Sequence, residues 1–197
     1  MKNYADYFMQ ENEFPQGLDV VLRNIGFSHT RPGYTNGLIR RDCYILHYIS
    51  GGCGSYTVGG HTYRLGACDG FLVPPDTEVL YQADLQNPWA VYWIGFYGRN
   101  ASLFLERARL SARHPIYRYD ADNALLSAME NLCFLARGPE RSPEFLLSGF
   151  YQVMGLLARH PASRRQVPDT SEHFAACVRF ISENIRHPIQ VQDLAAD

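Results

Sequence analysis

The sequence predicts a mainly β protein with added α structure. It should form a small antiparallel β-barrel (jelly roll), then an antiparallel helix pair, then a helical tail that is cut short. Three observations carry this. Between Arg41 and Gly98, short apolar and aromatic runs alternate with Gly51-Gly52-Cys53-Gly54, Gly59-Gly60, Gly66, Gly70 and Pro74-Pro75, the pattern of strands joined by tight turns. Beyond Asn100 the apolar period lengthens to that of amphipathic helices. After residue 160 the stretch PASRRQVPD, with two prolines, two arginines and no apolar period, reads as a linker.

Taken in order, residues 1–36 read as an irregular arm leading into a first strand at Leu18-Asp19-Val20-Val21-Leu22. A turn follows at Arg31-Pro32-Gly33-Tyr34. The arm either packs on the barrel as an ordered tail or closes over a bound ligand. Residues 37–119 supply the barrel. Gly59-Gly60, between Tyr56-Thr57-Val58 and His61-Thr62-Tyr63, has the form of a two-residue hairpin with positive φ at both central positions. Val79–Ala83 and Ala90–Phe96 complete the strands, with Asn87-Pro88 as the turn between them.

Asn100 then caps a short helix, Ala101 to Leu110, and residues 115–119 return to extended form. Residues 120–160 hold the helix pair. Its first helix runs from about Asp122 to Arg137 with Leu125, Leu126, Met129, Leu132 and Cys133 on one stripe, and Gly138-Pro139 ends it. The second opens with Ser142 as cap and Pro143 at the first helical position, and carries Phe145, Leu146, Phe150, Val153, Met154 and Leu157 to about His160. Residues 161–169 are the linker. In 170–197, Thr170 or Ser171 caps a helix bearing Phe174, Cys177, Val178, Ile181 and Ile185, which His187-Pro188 ends. Another helix begins at Gln190 and stops in its second turn, so the chain reads as part of a longer protein.

Composition narrows the function. The net charge of −2 on 197 residues disfavours a surface dominated by phosphate contacts. Five cysteines, odd in number and without C-x-x-C spacing, sit largely within apolar patterns and suit a reducing compartment. Met1-Lys2-Asn3-Tyr4-Ala5-Asp6 lacks the apolar core of a signal peptide, and no apolar run is long enough to span a bilayer. A cytoplasmic protein without a membrane partner is expected.

The barrel histidines, His29, His47 and His61, form no His-x-His pair and have no downstream carboxylate at ligand spacing, so no metal or other cofactor is expected. There is no Gly-x-Ser-x-Gly elbow, no cysteine in a basic context and no phosphate-cradling loop opening a helix, so no catalytic residue is assigned. Aromatic residues are more informative. Alternation places Trp89, Val91, Trp93 and Gly95 on one face of the last strand and Ala90, Tyr92, Ile94 and Phe96 on the other. Cys43, Ile45, His47 and Ile49 likewise share a face opposite Tyr44, Leu46 and Tyr48. A face mixing Trp, His and a nearby Arg suits a pocket that stacks an apolar ring face and hydrogen-bonds its rim, as a sugar requires. The plainer reading makes these aromatics barrel core. The helix stripes, similarly, either cover the barrel or also form a dimer interface through Phe145, Phe150, Val153, Met154 and Leu157.

Several motifs then point to one family. Arg41-x-x-Tyr44-x-x-His47-Tyr48-Ile49-x-Gly51-Gly52-x-Gly54-x-Tyr56, Gly60-x-x-Tyr63-x-Leu65 and Gly70-Phe71-Leu72-Val73-Pro74 resemble the effector-binding domain of AraC-type transcription regulators. Tyr81-Gln82-Ala83-Asp84 and Pro88-Trp89-x-x-x-Trp93-Ile94-Gly95-Phe96-x-Gly98 are most similar to regulators of raffinose and multiple-sugar operons. The tail, Phe180-Ile181-x-x-Asn184-Ile185-x-x-Pro188-Ile189-x-Val191-x-Asp193-Leu194-Ala195, resembles the start of that family's helix-turn-helix DNA-binding domain.

The resemblance implies a cupin-like barrel without metal, a dimerising helix pair and a sugar held inside the barrel under an N-terminal arm. By position, Tyr81 and Trp93 match aromatic sugar-contacting residues. Arg41 (or Arg40, if a gap intervenes) matches a sugar-binding arginine, and His47 shares the strand. The position two before Trp93, polar in the arabinose-responsive member, is Val91 here, which favours a different sugar. DNA is the implied partner of the full-length protein but not of this chain alone, because the base-reading helix lies beyond it. Two other readings compete: a metal-dependent cupin-type enzyme of the isomerase kind, and a dimerisation platform with no effector.

Overall fold

In the computed structural model, which describes residues 7–11, 18–138 and 142–161, the glycine-punctuated stretch forms short antiparallel strands. These are β1 (Tyr7–Glu11), β2 (Val21–His29), β3 (Tyr44–Gly51), β4 (Cys53–Val58), β5 (His61–Gly66), β6 (Asp69–Val73), β7 (Val79–Ala83), β8 (Ala90–Tyr97) and β9 (Ile116–Arg118). Gly59 and Gly60 join β4 to β5 with φ of 57° and 80°, the left-handed pair that a two-residue hairpin demands. The expected linker 161–169 apart from Pro161, the tail 170–197, the Pro139 stop and residues 1–6 and 12–17 of the arm lie outside the described residues.

The jelly roll is present as two facing sheets. Among the described residues, one sheet has six strands in the order β1-β2-β8-β3-β6-β9 and the other has three in the order β5-β4-β7. Residues 33–39 run along β7, exchanging Val79 N–H to Ile39 O (3.1 Å), Ile39 N–H to Val79 O (3.0 Å) and Ala83 N–H to Tyr34 O (2.8 Å). Tyr56 crosses the space between the sheets and donates to the Leu72 carbonyl at 2.8 Å.

Side-chain alternation divides the apolar residues into two clusters, one on each face of the large sheet. The inner cluster fills the space between the sheets around Ile45, Ile49, Tyr56, Phe71, Val79 and Trp89. The outer cluster joins Leu46, Tyr48, Leu72, Ile94 and Phe96 to the helices. These helices are α1 (Ala101–Arg107), α2 (Ala124–Arg137) and α3 (Pro143–Arg159). Helix α2 buries Leu125, Ala128, Met129, Leu132 and Cys133, and α3 buries Leu146, Gly149, Phe150, Val153, Met154 and Leu157.

The helix caps are only partly those expected. Ser142 Oγ accepts from Phe145 N at 3.3 Å, and Pro143 stands at the first turn of α3. Asn100 makes no side-chain cap; its N–H is taken instead by the Asp19 carbonyl at 3.1 Å. Asp122, two residues before α2, accepts from Ala124 N at 2.8 Å and from the Tyr119 hydroxyl at 2.9 Å.

One irregularity decides what faces the interior. Leu22 pairs with Phe96 and Asn24 with Gly95, so Arg23 is a bulge in β2. An extra residue reverses the alternation beyond it. Leu22 and Ile25 therefore both reach the helix-side cluster, while Asn24 turns inward.

Candidate functional site

A cavity of about 720 Å³ opens between the sheets, within the range of small-molecule sites. Its floor follows from the registers. Across β2, β8 and β3, one row reads Asn24–Gly95–Ile45 and the next Gly26–Trp93–His47. Alternation points these rows inward, and Asn24, Ile45, His47, Val91 and Trp93 line the cavity. Tyr81 faces them from β7, and the rim is built from Arg31, Tyr34, Asn36 and Arg41, with Met9 and Glu11 from β1.

Aromatic rings meet at the base. His47 stacks on Phe71 with centroids 4.2 Å apart and planes within 8°. Tyr81 stands 5.3 Å and Trp93 6.5 Å from the same imidazole. Behind them Trp89 packs on Phe71 at 5.8 Å, its ring occupying the space where a Gly54 side chain would be. The carbonyl of His47 is held from the opposite face of the sheet by the Tyr117 hydroxyl at 2.7 Å.

The electrostatics separate floor from rim. His47 is 4% exposed. Burial first, then the nearby Arg41 charge, pushes its pKa down to about 3 against an opposing hydrogen-bonding interaction of the ring with the Ile45 backbone, so the ring is neutral at physiological pH. Its Nδ1 and the Asn24 Oδ1 are buried without a hydrogen-bond partner among the described residues. Burial likewise pushes Tyr81 up to about 12, although the Arg41 and Asn36 side chains beside its hydroxyl pull the other way. At the rim, Tyr34 donates to Asn36 Oδ1 at 2.7 Å. Arg23 links Glu11 (3.8 Å) to Asp42 (3.3 Å), an exposed pairing that orients more than it stabilises.

All four residues singled out in the sequence, Arg41, His47, Tyr81 and Trp93, border this one cavity. Arg40 instead lies 3.9 Å from Glu78 on the surface. Val91 lines the wall as the alternation predicted. The five dimerisation residues are not on one surface: Phe150, Val153, Met154 and Leu157 are buried in the chain's own core, while Phe145 is 58% exposed. Alternation past the Arg23 bulge hid Asn24 from sequence reasoning, and Met9 and Glu11 lay in what read as an irregular arm. Asn36 and Tyr34 carried no periodic signal.

Chemically, the arrangement offers stacking surfaces and hydrogen bonds. Among the described residues, no group of three or more His, Cys, Asp or Glu is placed to hold a metal ion. Burial pushes the Cys43 thiol up to about 11 and Cys133 up to about 12, away from nucleophilic thiolate character.

Residues 25–154 match the AraC-like ligand binding domain. The chain is 34% identical over 190 residues to the Msm operon regulatory protein of Streptococcus mutans, covering 93% of this chain and 68% of that protein. It is 27% identical over 199 residues to the lactose operon transcription activator of Staphylococcus xylosus, covering 98% and 68%. With the raffinose operon transcriptional regulatory protein of Pediococcus pentosaceus, identity is 29% over 172 residues, covering 83% of this chain and 61% of the relative. A matched domain that takes in β3 to β9, α2 and most of β2 and α3, together with these relatives, establishes that the chain belongs to the AraC-like ligand binding domain family.

Proposed function

We propose that this chain is the effector-binding and dimerisation part of a cytoplasmic, sugar-responsive transcription regulator of a carbohydrate-utilisation operon. The convergence of Arg41, His47, Tyr81 and Trp93 on one cavity carries the reading. A half-buried indole offers a platform for the apolar face of a sugar ring, and the surrounding polar groups meet its hydroxyls. The relatives named for the Msm, lactose and raffinose operons support a carbohydrate effector. The role is to bind and signal, not to catalyse, and DNA is the partner of the longer protein. Among the described residues no helix is long and apolar enough to cross a membrane.

The dimer is assigned to the outward faces of the helices. Phe145 and Tyr151 on α3, Phe134 on α2 and Leu103 on α1 are large apolar side chains left exposed, and an isologous pairing would cover them.

Thermal unfolding of the purified chain with galactose, lactose, raffinose and arabinose tests the reading. A specific sugar raises the melting temperature by linkage, and Trp93→Ala diminishes the rise at the same sugar concentration. A flat response to the whole panel would falsify sugar sensing. Near-stoichiometric bound metal in the isolated protein would instead favour a metal-dependent enzyme.

A further inference from the structure

Among the described residues, two buried polar atoms on the cavity floor make no hydrogen bond: Asn24 Oδ1 and His47 Nδ1. Buried polar groups are nearly always paired, so two orphans in one cavity call for an explanation. Neither is loosely placed. Asn24 faces inward because of the bulge at Arg23, and its amide lies over Gly95, where an added Cβ would come within 2.6 Å of Oδ1. His47 is fixed by its stack on Phe71. The register sets them on two sides of Trp93, His47 directly across β8–β3 and Asn24 one row along.

We propose that Asn24 and His47 form a specificity-determining floor that takes hydroxyl groups of an uncharged, polyhydroxylated ring stacked on Trp93. This rests on reading the cavity as a sugar site and adds which part of the sugar enters and what it must carry. A ligand hydroxyl donates to Asn24 Oδ1, and a second pairs with His47 Nδ1, donating or accepting according to the imidazole tautomer. The floor supplies no formal positive charge, since His47 is neutral and the arginines stand at the rim. A carboxylate or phosphate pressed against the Asn24 oxygen would gain no counter-charge there. The neutral ring therefore goes in first, and any charged or additional unit stays near Arg31 and Arg41.

The test compares wild type with Asn24→Leu, which swaps the amide for an apolar group of similar size, and with Asn24→Ala, which cannot overpack. Thermal unfolding is followed with and without galactose, lactose and raffinose. If the proposal holds, Asn24→Leu without sugar melts at or above wild type, since it strands no acceptor. Both variants then need a half-saturating sugar concentration roughly ten-fold or more above that of wild type. Sugar responses equal to wild type in both variants overturn the proposal while leaving the cavity a sugar site. If none of the three sugars shifts wild type, the sugar reading fails separately, and the ligand-free comparison decides. Asn24→Leu and Asn24→Ala both melting well below wild type would make Asn24 a folding residue and overturn the proposal. Asn24→Leu melting above wild type would uphold an amide retained for a bound hydroxyl compound outside the panel.

Discussion

The indole of Trp89 lies against the bare backbone of Gly54, so the residue before β8 is locked onto the opposite sheet. A Cβ at Gly54 would press into the Trp89 ring and come within 2.5 Å of the Gln82 carbonyl. Gly54→Ala is therefore expected to destabilise the protein by about 1–3 kcal/mol through overpacking. Guanidinium denaturation checks this, and a midpoint equal to wild type would contradict the packing described. Because Trp89 also lines the cavity, ligand-induced stabilisation should shrink in the same variant.

The two tryptophans report different things. Trp89 is 2% exposed and belongs to the inner cluster, whereas Trp93 is partly open on the cavity. A ligand-dependent change in tryptophan emission is expected to arise from Trp93. Trp93→Phe should abolish that change while leaving the Trp89 signal, and Trp93→Ala should cost about ten-fold in affinity, the order of one aromatic stack. An undiminished emission change in Trp93→Phe would take the ligand off Trp93.

His47 makes stability depend on pH. Its folded pKa of about 3 lies below the ordinary 6.5, so below pH 6.5 the unfolded chain takes up a proton that the folded chain refuses. Its contribution is fully present above pH 6.5 and is lost as pH falls from there toward 3, at a limiting slope of roughly 1.4 kcal/mol per pH unit. His47→Gln removes the titration. Denaturation midpoints at pH 7.5, 6 and 5 should fall less steeply for the variant than for wild type, and parallel curves would refute the assignment.

The helices carry two opposed faces. Phe150 is buried against Phe96, with ring centroids 4.9 Å apart, and Phe150→Ala should cost about 3–5 kcal/mol. Phe134 and Phe145 are 73% and 58% exposed. Changing either to Glu should leave monomer stability within about 0.5 kcal/mol while shifting sedimentation velocity profiles toward monomer. Profiles that stay dimeric would move the interface away from this face.

The strands from β3 to β8 were legible in the sequence because glycine pairs and prolines bracket runs of strand-forming residues. Strict alternation then grouped Trp93 with Val91 on one strand and His47 with Ile45 on another; the register makes these one face. Helices α2 and α3 were legible from their apolar period and, for α3, from Ser142-Pro143. What escaped depended on non-local detail. The bulge at Arg23 has no periodic signature and decides the direction of Asn24. The β1 strand is ordered by pairing with β2, not by its own composition, so Met9 and Glu11 could not be placed at the cavity in advance. Stripe residues of α3 were legible as apolar, but only packing shows that the chain's own core takes Phe150, Val153, Met154 and Leu157 and leaves Phe145 outside.

Strand β8 stands between the cavity and the helices, with Trp93 on one side and Ile94 and Phe96 on the other. The two compartments thus share a wall a single peptide thick. Such a wall cannot be redrawn on one side only, since packed interiors resist gradual deformation. A ligand that tilted β8 would load the Phe96–Phe150 contact, and a partner that clamped the helices would in turn stiffen the floor beneath that ligand. Linkage makes the traffic reciprocal: the factor by which the ligand tightens the clamp is the factor by which the clamp tightens the ligand.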